Sequence, residues 1–189
     1  MPKVKLYGKK DVRTAAYNYM AAKFFLNLAE DQEDGRFFSS QSSIVFSAFT
    51  YEAFLNTLGN KIFNTWDEYE KYNVDDKLTL ICKKIDYKPS KGKRPYQTME
   101  KIYKFRNLIA HGKDETINIQ GKVVHKNGMS YLDSIESEWE KMCKPLKARK
   151  AYEDVKAVAI DLCENAGIEN FAGYPFGSPV SGFFRVEGV

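Results

Sequence analysis

Between Phe37 and Asn60 the only charged residue is Glu52. At helical spacing Ile44, Ala48, Tyr51, Leu55 and Leu58 share one side of this stretch, while Phe46, Phe49 and Ala53 occupy others. A helix that is apolar on most of its circumference must be surrounded, so other elements have to pack around it. It is not a membrane span, because Ser47, Thr50, Glu52, Asn56 and Thr57 interrupt its most apolar part, Ile44 to Leu58. The pattern predicts a helix that starts after the cluster Ser39–Ser43 and stops at Gly59.

The neighbours of that helix also read as helical. With Asp11 as N-cap, Val12, Ala15, Ala16, Tyr19, Ala22, Leu26 and Ala29 recur at three- and four-residue spacing, predicting a helix to about Asp31. The Asp34–Gly35 pair breaks it. Shorter helices are expected over Trp66–Tyr72 and Asp75–Ile85. Pro95 opens a further helix that closes at His111 and Gly112. The period then changes. Ile117–Gln120, Val123–His125 and Met129–Leu132, with Asn127–Gly128 between the last two, predict a small β-hairpin. A last long helix is expected over Ser137–Asn165 with an interruption at Pro145, ending near Gly167.

The fold class expected is therefore all-α, a helical bundle with a small β-hairpin insertion, as a single domain over residues 1–189 with its helical core at about 11–167. A chain of 189 residues with 13 Phe, 12 Tyr and 2 Trp can supply such a core. The segment 168–189 carries Phe171, Tyr174, Phe176, Phe183 and Phe184, and is expected to pack on the helices or on a second subunit. A charged fraction of 29% excludes an integral membrane protein, and no membrane partner is expected. Met1–Lys10 is basic without the apolar run of a signal peptide, so the expected location is cytoplasmic. Cys82, Cys143 and Cys163 are too widely spaced for a zinc site and read as buried small hydrophobes; no metal or cofactor is expected.

One helix stands out chemically. Taking Met99 as zero at 100° per residue, Ile102, Tyr103, Ile109 and Ala110 form an apolar stripe, and Arg106 falls at about 340°, in its middle. A guanidinium keeps its proton, so a buried one needs an anion or a polar cavity. Asn107 and His111 flank the stripe beside Tyr103, four residues apart. The central helix offers the complement: Glu52, with Asn56 one turn later, is a lone carboxylate that needs a cation. Glu52 or Asn56 is expected to hold Arg106. Such a group is also a common structural device, and a His before a Gly can simply close a helix.

The string Phe105-Arg106-Asn107-Leu108-Ile109-Ala110-His111-Gly112 resembles the signature of the HEPN superfamily, an Arg followed by a polar residue and, a few positions later, a His. The helix Ser42–Gly59 is similar to the early core helix of such proteins. The resemblance covers about Val12 to Gly167 in architecture and eight residues in motif. It implies a helical bundle that dimerises, bringing two Arg–His motifs to a shared cleft. Many members are metal-independent endoribonucleases, among them toxins and antiviral effectors that cut tRNA or other RNA; others are binding modules. On this resemblance Arg106 and His111 are the catalytic pair and Asn107 orients them; the helix faces themselves mark Glu52, Asn56 and Tyr103 as the supporting residues. The partners implied are RNA, a second copy of the chain, and an antitoxin or regulatory protein.

An imidazole can move protons near neutral pH, and a guanidinium can stabilise charge on a phosphorane. The basic loop Lys83–Arg94, above all Lys91, Lys93 and Arg94, is a candidate RNA contact, with Tyr87 and Tyr96 as possible stacking rings; a solvated loop is the alternative. His125 reads as an exposed strand residue. The alternative function is a non-catalytic HEPN-like module binding a protein, nucleotide or RNA.

Overall fold

The computed structural model describes residues 5–112, 114–118, 135–168 and 176–187, the side chains of 5, 6 and 184–187 aside. It is mostly helical, with one small sheet. In chain order the elements are β1 (Lys5–Val12), α1 (Thr14–Asp31), α2 (Arg36–Ile62), α3 (Val74–Lys84), α4 (Tyr96–His111), α5 (Pro145–Asn165) and β2 (Val180–Glu187). Short 3-10 turns at Trp66–Glu68 and Glu140–Met142 join them. Among the described residues no helix is long and apolar enough to cross a membrane.

Helix α2 is central, packing against α1, α3, α4 and α5. Its buried residues include Ile44, Ala48, Tyr51, Leu55 and Leu58, as the spacing predicts. Both of its ends differ from the expectation. The serine cluster lies inside the helix, because Ser40 and Ser43 are buried rather than facing water, and the Ser43 hydroxyl donates to the Ala22 carbonyl of α1 at 2.9 Å. Gly35, at φ 70°, precedes the first turn, a backbone conformation open to glycine. Gly59 is no stop but a contact: a Cβ there would lie 2.2 Å from the Trp66 indole.

Three further expectations change. Asp11 is not the cap of α1; it lies in β1, where it pairs with Ser181 of β2, and the helix begins after Arg13. Trp66–Tyr72 forms only a 3-10 turn and a bend, since Trp66 is taken up by Gly59. Pro145 starts α5 rather than interrupting a longer helix, which places its missing N–H where no helical bond is needed. Asn73 caps α3 by accepting from the Asp76 amide at 2.9 Å. Ile117 and Asn118 are irregular; residues 119–134, with the rest of the expected hairpin and His125, lie outside the described residues.

Of the aromatic C-terminal segment, Phe176 packs on the helices, whereas Phe183 is 74% exposed. Phe176 is buried against Tyr19 of α1 and Phe54 of α2, at ring distances of 4.6 and 5.9 Å. From there the chain returns as β2, antiparallel to β1. Phe171 and Tyr174 lie outside the described residues.

Candidate functional site

Helix α4 lies against α2 and α5 because Met99, Ile102 and Phe105 form its buried stripe. The same azimuth carries Arg106 onto α2, where an η-nitrogen forms an ion pair with Glu52. The other η-nitrogen donates to the Asn107 side-chain oxygen at 2.9 Å, and the guanidinium sits over the Tyr103 ring at 4.7 Å and the Phe49 ring at 5.6 Å. Arg106 is 17% exposed and Glu52 30%. The pair therefore sits at the rim of the core rather than inside it. Asn56 is one turn from Glu52, but it is Glu52 that takes the arginine; the buried Asn56 Oδ1 and Arg106 Nε have no hydrogen-bond partner.

A second cation joins this carboxylate. Lys77 of α3, only 2% exposed, places its Nζ 3.8 Å from the other Glu52 oxygen. One carboxylate thus serves two cations, and the cluster carries a net positive charge at the edge of α2. The sequence reading missed Lys77 and the role of Phe49. The signal for Lys77 was present: it interrupts the buried stripe Val74, Leu78 and Ile81 of α3 as Arg106 interrupts that of α4.

His111 lies elsewhere. It ends α4, about 7.5 Å further along the axis and turned by about 140° from Arg106. Its side chain is exposed and lines a cleft of about 610 Å³ with Leu108, Ile109, Trp139 and the acidic residues Asp114, Glu115 and Glu138. Arg106 does not line this cleft. Within one chain the two motif residues therefore address different surfaces, with Asn107 attached to the arginine. Carboxylates around the imidazole repel a phosphodiester, although Glu138 is itself paired with Lys141.

The basic loop is not part of either surface. It precedes α4, so Arg94 and His111 are separated by the length of the helix, about 22 Å. Lys91 and Lys93 are exposed, but Arg94 makes a bidentate pair with the buried Asp154 of α5, at 2.7 to 3.2 Å. Tyr87 and Tyr96 are not free to stack. Both hydroxyls donate to Asp161 at 2.6 Å, and burial together with that carboxylate pushes both phenols above their usual range. The loop is stapled to α5 at both ends, which leaves only the lysines between for an external anion. The three cysteines are buried; burial pushes the Cys82 thiol up to about 11 and the Cys143 thiol up to about 12.

In comparison with known proteins, no family model, no curated protein and no solved structure matches this chain.

Proposed function

We propose that the chain is a HEPN-like domain acting as a metal-independent endoribonuclease, with Arg106 and His111 of two copies arranged around one cleft. The observation that carries this reading is the Arg106–Asn107–His111 set on α4. The guanidinium is fixed by Glu52 and two aromatic rings at the rim of the core, and the imidazole stands exposed at the helix end. A held guanidinium loses little freedom when it meets a phosphate. Because the two groups diverge within one chain, the reading requires a second copy to supply the missing partner.

RNA brings its own nucleophile. The 2′-oxygen forms a bond to phosphorus, its proton passing to a base, and the bond from phosphorus to the 5′-oxygen breaks as that oxygen gains a proton. His111 takes one of these proton transfers, and Arg106 stabilises the charge on the phosphorane oxygens. The product is a 2′,3′-cyclic phosphate. Lys91 and Lys93 would serve only as distant backbone contacts.

A specific observation favours a second reading. With Arg106 taken by Glu52 and His111 among carboxylates, the domain also fits a non-catalytic module that binds a protein, nucleotide or RNA. Cleavage of total RNA and tRNA in excess EDTA separates the two. Retained cleavage that ends in cyclic phosphate and is lost in His111→Ala is the expected result. No cleavage by the wild type, or full cleavage by His111→Ala, would falsify the nuclease. His111 is exposed, so this variant tests chemistry without disturbing the core.

A further inference from the structure

Lys77 takes no part in the chemistry proposed for Arg106 and His111, yet at 2% exposure it is the most deeply buried charge among the described residues. A buried ammonium is costly unless an anion meets it. Among the described residues that anion is Glu52, and it meets the lysine only loosely. Nζ stands 3.8 Å from Oε1, beyond hydrogen-bond distance. The close contact goes to Arg106, through Oε2. The carboxylate thus gives its hydrogen bond to the more exposed of its two cations and leaves the more buried one with charge alone.

Two cations and one carboxylate leave the cluster with a single positive charge. No other charge on α2 corrects it, because Glu52 is the only charged residue between Phe37 and Asn60. On the neighbouring turns of α3 and α4, Asp75, Asp76, Glu100, Lys101 and Lys104 are exposed, where water and salt screen them. Arg106 is where the excess reaches the surface. A guanidinium has five N–H donors; Glu52 and Asn107 accept from it, while Nε has no acceptor among the described residues. Phe49, beside the guanidinium, is 38% exposed and offers a flat surface to a base.

We infer that Lys77 is a positioning residue for anion capture: it neutralises Glu52 from the α3 side, so that Arg106 offers its whole charge to one phosphodiester of an RNA strand. A phosphodiester carries one negative charge, which brings the cluster to neutrality. Without Lys77 the Arg106–Glu52 pair is already neutral, and an approaching phosphate meets a carboxylate as well as a guanidinium. Lys77 itself is too buried to touch the RNA. The inference rests on the proposed function for the choice of phosphodiester as the anion, and not for cleavage.

Fluorescence anisotropy tests it with a labelled oligouridine carrying 2′-O-methyl groups, which lacks the 2′-hydroxyl nucleophile and so reports binding alone. Lys77→Met keeps the length of the side chain and removes its charge. An apolar side chain of similar volume is well tolerated in place of a buried ion, and circular dichroism checks the fold. This variant should raise the dissociation constant about tenfold, and Arg106→Ala at least about tenfold. Lys77→Gln, which keeps a hydrogen-bond donor, carries the same expectation. The double variant Glu52→Gln/Lys77→Met removes both charges, restores the single positive charge and leaves Arg106 an amide oxygen to donate to. It should bind within about threefold of the wild type. A merely structural role for Lys77 predicts the reverse, since the double variant has lost both ion pairs.

A wild type that does not bind the oligonucleotide overturns the inference. So does unchanged binding in Lys77→Met or in Arg106→Ala, or a double variant that binds no tighter than Lys77→Met. Cleavage of unmodified RNA by the same proteins keeps the two proposals apart. Binding with the charge rescue but without cleavage removes the nuclease and leaves the role of Lys77. Cleavage that is lost in His111→Ala but indifferent to Lys77→Met removes that role and leaves the nuclease.

Discussion

Glu52 ties two further helices to α2, since one carboxylate at its edge holds Arg106 from α4 and Lys77 from α3. Replacing it with Gln leaves two cations without an anion. For a fully buried pair that loss costs about 3–5 kcal/mol, and the 30% exposure of Glu52 reduces it, so Glu52→Gln should lower unfolding stability in urea by about 2 kcal/mol. Arg106→Ala should cost less, because Lys77 remains to pair with the carboxylate. The cysteines give a prediction in pH. The Cys82 thiol is held neutral by burial, with its pKa raised from the usual 9.0 to about 11. A raised acid pKa means that the unfolded chain releases this proton first. The stabilisation is therefore complete below pH 9 and fades as pH rises through about 11. Native protein at pH 8 should alkylate at Cys82 far more slowly than the denatured chain, measured by mass spectrometry of iodoacetamide adducts.

At the level of the elements, the meeting of α2 with the Trp66 turn is the most sensitive contact. Alanine in place of glycine inside a helix ordinarily stabilises by about 1 kcal/mol. At Gly59 the added Cβ would fall 2.2 Å from a Trp66 side chain that is only 1% exposed. The indole must move within a packed core, at about 1–3 kcal/mol, which the propensity gain of about 1 kcal/mol only partly offsets. Gly59→Ala should therefore destabilise by about 1 kcal/mol in thermal unfolding. If it stabilises, the Trp66 contact is not as described. Gly59 also shows why helix ends were poorly legible. A glycine after an apolar run looks like a stop, and only the indole of Trp66, further along the chain, reveals it as a point of close approach. The serines at the other end of α2 misled for a similar reason. Hydroxyls usually mark a cap, but Ser43 finds its acceptor in α1, and Ser40 is buried within the helix.

Across the whole molecule, the two ends of the chain close on each other. Phe176 enters the core between Tyr19 and Phe54, and β2 then pairs with β1 along its length. Phe176→Ala should open a cavity worth about 3 kcal/mol and lower the thermal midpoint, even though the residue lies outside every helix. No local pattern announces the strands as a pair. Lys5–Val12 and Val180–Glu187 stand at opposite ends of the chain, and strand pairing over such a separation depends on where the helices carry the ends. Local patterning by itself determined that this chain builds helices around α2, because hydrophobic period and the absence of charge are properties of neighbouring residues. It also marked Glu52 and Arg106 as charges in need of partners, since each stands alone in apolar surroundings. The tertiary structure decided that they meet, that Lys77 shares the carboxylate, and that His111 faces away from Arg106 into an acidic cleft. Helical spacing sets the angle between two side chains, but only the packing of other elements sets what each of them faces.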